Sequence, residues 1–259
     1  MSENALLTVE IDGRRIEVTK GTTVLEAARQ LGVFIPTLCY HKALPADAAC
    51  RICIVEMSIE KRGRTHRWID TACVYPVEHS LVIQTNTPKI IRERKLILEL
   101  LLSRAPESPL LNAMAEEYGA EKRFETLDKG ESKCILCGLC VSACQGPVRV
   151  GGIGMAFRGI HKRLISPYNL TQDICIGCQA CAWVCPTGAI QIKEAGANLH
   201  LENWDTWHKL QTCSECGRAF APIVLLEKVR ERAGKDIKPE VINKCPECRR
   251  KTHVFEEKF

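Results

Sequence analysis

Four cysteines stand within eleven residues in the stretch CILCGLCVSACQ, residues 134–145, and the chain nearly repeats them as CIGCQACAWVCPTG, residues 175–188. Each run has the spacing Cys-x2-Cys-x2-Cys-x3-Cys. Three closely spaced thiolates wrap one face of a cubane 4Fe-4S cluster, and in two-cluster ferredoxins the fourth Cys of each run ligates the other cluster. The repeat therefore predicts a bacterial-type ferredoxin domain in which two 4Fe-4S clusters lie side by side.

Crossed ligation divides these eight thiols into two sets, each with three Cys of one run and the last Cys of the other. The first set is Cys134, Cys137, Cys140 and Cys185, and the second is Cys175, Cys178, Cys181 and Cys144. The second run ends in Cys185-Pro186, as is usual, whereas the first has Gln145 at that place, a change that removes no ligand. Two structural zinc sites are the alternative, but zinc sites seldom use three Cys at this spacing.

The composition favours metal binding over disulfides. The chain has 259 residues, 26% charged and 46% hydrophobic, an ordinary globular composition for two or three domains, and its sixteen Cys form four groups of four. A disulfide framework would need export, and the N-terminal residues MSENALLTVEIDG show no basic segment followed by an apolar core. Cys-x2-Cys pairs also suit metals better than disulfides. We therefore expect a cytoplasmic protein with reduced thiols.

The formal net charge of +5 does not indicate nucleic acid, because it counts every Cys as neutral. If each tetrathiolate centre carries roughly two net negative charges, four centres bring the total to about −3. The basic residues then neutralise local anions. A membrane span is not expected, because the most apolar run, Leu96–Leu102, is short and contains Glu99.

The remaining pattern predicts an α+β multi-domain chain. Residues 6–19 read as two strands joined at Asp12-Gly13, and Thr22 or Thr23 can cap a helix that ends near Leu31. Strand, strand, helix is how a β-grasp domain begins. Further strands are expected at 52–57, 68–72 and 81–85. The predicted boundaries are 1–86 for this domain, 87–130 for a helical connector, 131–195 for the two-cluster ferredoxin domain, 196–209 for a linker and 210–259 for a four-Cys module.

The connector is expected to contain two helices. Thr87-Pro88 opens the first, which runs to about Arg104 and has apolar residues on more than one face, so we expect it to be substantially buried. The second covers Ser108 to Tyr118 and ends at Gly119. The charged residues 121–133 that follow lack periodicity and read as a linker.

The N-terminal cysteines, Cys39-x10-Cys50-x2-Cys53-x19-Cys73, can supply the four thiolates of a 2Fe-2S cluster. Residues 23–57, TVLEAARQLGVFIPTLCYHKALPADAACRICIVEM, closely resemble the 2Fe-2S domain at the start of the complex I large iron-sulfur subunit and of the related subunits in NAD(P)-linked hydrogenases and formate dehydrogenases. The resemblance covers roughly residues 6–104 and resumes at 134–192. It implies a β-grasp ferredoxin domain that binds one 2Fe-2S cluster.

Two departures from that family stand out. Family members often have Gly just ahead of the second Cys, where this chain has Ala48 and Ala49. The family also usually carries a further 4Fe-4S site of one His and three Cys after the long helix, but here no Cys lies between 73 and 134. That cluster is expected to be absent, and the electron path to be shorter or differently arranged.

The last set, Cys213-x2-Cys216-x28-Cys245-x2-Cys248, has the paired knuckles of a tetrahedral zinc ribbon. A rubredoxin-like single iron uses the same ligands and remains an alternative. A nucleic-acid-binding ribbon is the other, since Arg249, Arg250 and Lys251 could touch phosphate. His208 and His253 flank the set and could replace a ligand, although four Cys already suffice.

These patterns predict an iron-sulfur electron-transfer subunit with no substrate chemistry of its own. The resemblance implies a flavin- and NAD(P)-binding partner on one side and a hydrogenase or formate dehydrogenase catalytic subunit on the other, and soluble ferredoxin is a further candidate partner. Trp183, between cluster ligands, is expected to shield a cluster from water. The alternative function is a redox sensor in which cluster loss changes the binding of the C-terminal ribbon to a partner or to nucleic acid.

Overall fold

Two units make up the part of the chain that the structure, a computed structural model, describes: residues 5–127, 133–233 and 242–256. The first unit contains the residues up to Leu139 together with Pro186–Ala189, and the second contains Cys140–Cys185 together with the residues from Ile190 on. Cys134 and Cys137 of the first ferredoxin run therefore lie in the first unit, whereas both other cysteines of that run lie in the second.

A mixed sheet forms the core of the first unit. Strands β1 and β2 make the predicted hairpin, whose turn residues Asp12 and Gly13 both have positive φ, at 49° and 80°, as a two-residue turn of this kind requires. The sheet order is β2-β1-β5-β3-β4, in which β1 and β5 are parallel and the other pairs antiparallel. The strands are β1 Leu6–Ile11, β2 Arg14–Thr19, β3 Ile54–Lys61, β4 Arg64–Thr71 and β5 Val82–Gln84.

Helix α1, Val24–Gln30, covers this sheet. Thr23 is its N-cap: the Thr23 hydroxyl accepts a hydrogen bond from the Glu26 N–H, and the Glu26 carboxylate accepts one from the Thr23 N–H. This capping box satisfies two backbone donors that the helix itself cannot pair. The buried face of α1 joins the apolar core of the sheet, as a β-grasp arrangement requires.

Two helices follow, as predicted. Helix α2 spans Pro88–Arg104 behind its N-cap Thr87, and α3 spans Pro109–Tyr118 between a Ser108 N-cap and Gly119 in the left-handed region. The expected burial of α2 on several faces is wrong. Its buried face follows helical spacing along Ile90, Arg94, Leu98 and Leu102, while Ile91, Leu96 and Leu100 are 40 to 51% exposed.

The second unit combines short helices around the cysteine runs with a second sheet. Its four strands are antiparallel in the order β11-β10-β9-β8, and β6 and β7 form a separate hairpin. The elements are α4 Leu139–Gln145, β6 Gly154–Ala156, β7 Arg163–Ile165, α5 Thr171–Ile174, α6 Ala180–Trp183, β8 Ile192–Ala195, β9 Asn198–Leu201, β10 Thr206–Thr212, β11 Ala219–Pro222, α7 Ile223–Ala233 and α8 Pro246–Glu256.

The segment 196–209, expected to be a linker, instead contains β9 and most of β10. Strand β10 buries the polar residues Thr206 and His208, which interrupt the apolar alternation by which a strand is recognised, whereas β9 buries Leu199 and Leu201 in an alternation only four residues long. Residues 121–127 lie outside regular structure, as the linker prediction requires, and residues 128–132 lie outside the described part. Among the described residues, no helix is both long and apolar enough to cross a membrane.

Candidate metal centres

The N-terminal set of thiols is gathered and buried within the first unit. The loop after α1 carries Cys39, the loop before β3 carries Cys50 and Cys53, and Cys73 follows β4. All four are at most 6% exposed. Interaction with the Cys39 thiol lowers the pKa of Cys50 to about 6 and correspondingly raises that of Cys39. Cys53 and Cys73 interact in the same way, with the pKa of Cys53 lowered. Four thiols so close together form a suitable ligand set for a 2Fe-2S cluster, because a metal binds the thiolate.

Backbone geometry in this loop bears on the departure from the family at Ala48. Ala48 has φ of 49°, a left-handed conformation that costs an L-residue roughly 1–2 kcal/mol. Its methyl group is packed in the sheet core, and burial of one methyl group returns about 0.8 kcal/mol. Alanine is therefore tolerated where glycine is more usual.

The Cys50 N–H donates to the Cys39 Sγ at 3.4 Å.

The start of the first ferredoxin run packs beside this loop. One apolar cluster of the first unit contains Cys39 and Cys50, with Ile135 buried in it and Cys137 packed against it. The same cluster includes the inner face of α2 and α3. Cysteines predicted for two different centres thus share one apolar core, and the sequence between 73 and 134 places no further Cys between them.

The second unit gathers Cys144 with three thiols of the other run. These four line one cavity, together with apolar side chains and Trp204. Burial raises the pKa of Cys175 and Cys178 and that of Cys181 to about 12, and repulsion from Cys144 adds to each. A cluster's iron charge would reverse that penalty, since ligation favours the thiolate. The residues present therefore fit a 4Fe-4S cluster, and the crossed assignment of Cys144 stays a prediction with this proximity in its favour.

Backbone N–H groups point at the sulfurs of this cavity. The Gly177 N–H donates to Cys175 Sγ at 3.4 Å, and the Gly152 N–H donates to Cys144 Sγ at 3.3 Å. Thr171, itself buried, fixes this turn by donating its hydroxyl to the Gly152 carbonyl at 2.6 Å. Hydrogen bonds to sulfur stabilise negative charge and are one of the factors that set cluster potentials.

Gly177 is held tightly between two strands of the sheet. Its φ is 65°, and a Cβ added there would lie 2.8 Å from His208 Cδ2 and 2.8 Å from Pro222 Cγ. Burial lowers the pKa of His208, whose Nε2 has no hydrogen-bond partner among the described residues. His208 therefore packs neutral against the second ferredoxin run.

The expected shielding by Trp183 is wrong, because that side chain is 89% exposed. It lies at the end of the short helix α6, whose outer face meets solvent. Trp204 lines the cluster cavity instead. Sequence reasoning missed Trp204 because it lies about twenty residues beyond the run and reaches the cavity only through the turn between β9 and β10.

The remaining thiols of the first set are divided between the units. Cys140 is buried in an apolar cluster of the second unit, against which Cys185 packs. In the first unit, the Leu136 N–H donates to Cys134 Sγ at 3.4 Å. Cys144 and Cys181 pack against the same cluster, so the crossed ligand set that includes Cys185 stays a prediction.

The last four cysteines form a compact group, with all four Sγ atoms within 4.8 Å of one another. The Cys216 and Cys245 sulfurs are 3.8 Å apart, and four Zn–S bonds of about 2.3 Å give a tetrahedron with an edge of about 3.8 Å. Hydrogen bonds from the backbone N–H groups of Cys216 and Cys245 lower the pKa of Cys213 to about 6. The described group contains no His, and the side chain of His253 lies outside the described part. The set fits one tetrahedral metal ion.

Two domain families match the chain. Residues 4–88 match the 2Fe-2S iron-sulfur cluster binding domain, and residues 168–191 match the 4Fe-4S binding domain. The first match contains the whole N-terminal thiol set, and the second contains the second ferredoxin run. Fold, thiol sets and family matches together define the chain as a ferredoxin-type iron-sulfur protein.

Individual relatives narrow this class. The NADP-reducing hydrogenase subunit HndD of Solidesulfovibrio fructosivorans is 33% identical over 233 residues, covering 75% of this chain and 38% of its own length. An NADH-quinone oxidoreductase subunit of Rhizobium meliloti is 30% identical, covering 82% and 27%. A solved chain of an NAD+-reducing [NiFe]-hydrogenase in the H2-reduced state aligns with a TM-score of 0.60 and 28% identity, covering 71% of this chain and 86% of that one.

The chain is related to subunits of NAD(P)-linked hydrogenases and of NADH-quinone oxidoreductases, which confirms the predicted relationship. It spans between about a quarter and two fifths of the length of these curated relatives.

Proposed function

We propose that this chain relays electrons through one 2Fe-2S and two 4Fe-4S clusters within a multi-subunit oxidoreductase. The binuclear cluster would be held by Cys39, Cys50, Cys53 and Cys73, and the cubane clusters by the two crossed sets of the ferredoxin runs. In this proposal, other subunits supply the substrate chemistry.

The observation that best supports the proposed electron relay is the shared apolar core of the first unit. Cys39 and Cys50 are buried in it, and Cys137 packs against it. Ligands of the binuclear cluster and of the first cubane cluster would then be neighbours, with no third ligand set between them in the sequence. The missing His-plus-three-Cys site need not interrupt the path, because direct transfer between these two clusters replaces it.

The relatives suggest which proteins exchange electrons with the chain. They are subunits of an NADP-reducing hydrogenase, an NADH-quinone oxidoreductase and an NADPH-Fe(3+) oxidoreductase. We infer a flavin- and NAD(P)-binding subunit on one side and a hydrogenase or formate dehydrogenase catalytic subunit on the other, in the cytoplasm. The set Cys213, Cys216, Cys245 and Cys248 would hold one zinc ion with a structural role.

Anaerobic affinity purification of the full chain from its own cells tests the partner assignment. The expected result is a stoichiometric complex that contains flavin and reduces the chain's clusters on addition of NADH or NADPH. A salt wash at several hundred millimolar serves as the control, since contacts made only by exposed charges weaken as salt rises. Recovery of the chain alone, bound to nucleic acid, would contradict the relay and favour the sensor.

A further inference from the structure

One arginine of α2 is completely buried beside the proposed binuclear site. Arg94 has an exposed fraction of 0%. Its Nε donates to the Ile52 carbonyl at 3.1 Å and its Nη2 to the Ile54 carbonyl at 2.8 Å, while Nη1 donates to Asn86 Oδ1 at 2.9 Å. The two carbonyls belong to the residues on either side of Cys53. The guanidinium therefore bridges the backbone around one predicted cluster ligand.

Burying a guanidinium is costly unless a negative charge compensates it. In the described part of the chain, no carboxylate forms an ion pair with Arg94: its hydrogen bonds go to two carbonyls and an amide, and the Tyr118 side chain also hydrogen-bonds with it. Burial lowers the pKa of Arg94, and attraction to Tyr118, Cys53 and Asp12 opposes that change. An arginine nevertheless stays protonated in a protein. The positive charge lies beside a site to which four thiolates holding a cluster would bring further negative charge.

We propose that Arg94 is a positioning residue for the 2Fe-2S site, which holds the Cys50–Cys53 loop and favours the reduced form of the cluster bound there. This inference rests on the proposed function, because it requires a 2Fe-2S cluster on Cys39, Cys50, Cys53 and Cys73. Reduction adds one electron from an external reductant and hence one negative charge to the site, and Arg94 keeps its proton throughout. A buried cation nearby stabilises that added charge and raises the midpoint potential.

Substitution at Arg94 separates its charge from its hydrogen bonds. Arg94→Gln keeps an amide donor but removes the charge, and Arg94→Lys keeps the charge but cannot donate to both carbonyls. Arg92 lies on the same helix with its side chain exposed, so Arg92→Gln and Arg92→Lys are matched controls. Each full-length variant is purified anaerobically, titrated with dithionite and followed by the EPR signal of the binuclear cluster.

For Arg94→Gln, the reduction equilibrium of the binuclear cluster should shift about tenfold toward the oxidised form, a fall of about 59 mV for a one-electron couple. The midpoint potentials of the 4Fe-4S clusters should not shift in Arg94→Gln, and the potential of the binuclear cluster should not shift in Arg92→Gln. Arg94→Lys should change the equilibrium constant for reduction of the binuclear cluster by no more than about threefold. It should nevertheless lose that cluster to an iron chelator faster than Arg92→Lys does.

An Arg94→Gln protein with an unchanged binuclear potential would overturn the inference. If Arg94→Gln assembles no binuclear cluster, the Arg94→Lys variant provides the test. Loss of its cluster to the chelator at the same rate as in Arg92→Lys would overturn the positioning role, and faster loss would support it. A wild-type chain without any binuclear signal would instead contradict the proposed function, so the two failures can be told apart.

Discussion

Single residues fix the loops that present the thiols. In the second ferredoxin run, Gly177 stands between Cys175 and Cys178 with its backbone in the left-handed region and its N–H on a sulfur. The ring of His208 and the ring of Pro222 occupy the space where a side chain would begin. A small residue is therefore required at this place for two separate reasons, conformation and space.

Replacing Gly177 by alanine tests both reasons. The left-handed backbone should cost about 1–2 kcal/mol, and the contacts with the two rings roughly a further 1–3 kcal/mol. Gly196→Ala is the matched control, because Gly196 has a similar φ of 59° with no atom within 4 Å of its missing Cβ. We expect Gly177→Ala to lose 4Fe-4S absorbance at a clearly lower temperature than Gly196→Ala under anaerobic heating. Equal midpoint temperatures for the loss of absorbance in the two variants would show that the contacts with His208 and Pro222 do not constrain the loop.

At the scale of elements, local signals were reliable where one stretch of sequence decides the outcome. Asp12-Gly13 makes a hairpin and Thr87-Pro88 begins a helix because turn and cap chemistry act within a few residues. Strand β10 was missed because its pairing buries Thr206 and His208, which look like surface residues in the sequence, and β9 because its alternation of Leu199 and Leu201 spans only four residues. The position of Trp204 at the cavity likewise depends on how that sheet folds back.

The arrangement of α4 and the second run leads to a prediction about crossed ligation, in which the last Cys of each run ligates the cluster of the other run. Helix α4 carries Cys144 to the cavity that also contains Cys175, Cys178 and Cys181, and Cys185 packs against the apolar cluster that contains Cys140. Cys144→Ser should therefore alter the cluster of the second run, and Cys185→Ser that of the first, because each removes the ligand that crosses over. The two variants are controls for each other.

EPR and Mössbauer spectra of the reduced variants show which cubane cluster each substitution changes. The expected result is that each serine variant changes one cubane cluster and leaves the binuclear signal intact. If each substitution disturbed only the cluster of its own run, the crossed assignment would be wrong, although the relay itself would survive.

At the scale of the whole molecule, sixteen cysteines divide into four sets, for which we propose two different roles. Three sets lie in or beside apolar cores with neighbouring sets, which suits electron transfer. The fourth is a compact group of sulfurs beside the β10–β11 pair and suits a structural ion. The sequence predicted these sets from spacing alone, because ligand spacing is local. It could not predict the buried cation Arg94 or the division of the first run between two units, since both depend on tertiary packing.

The most direct test is the metal and sulfide content of the anaerobically purified full chain, measured together with EPR of the dithionite-reduced protein. The expected result is about ten iron, about ten acid-labile sulfide and about one zinc per chain, with one binuclear signal and two interacting cubane signals. Mostly zinc, with little iron and no labile sulfide in protein never exposed to oxygen, would contradict it and indicate a structural or nucleic-acid-linked protein.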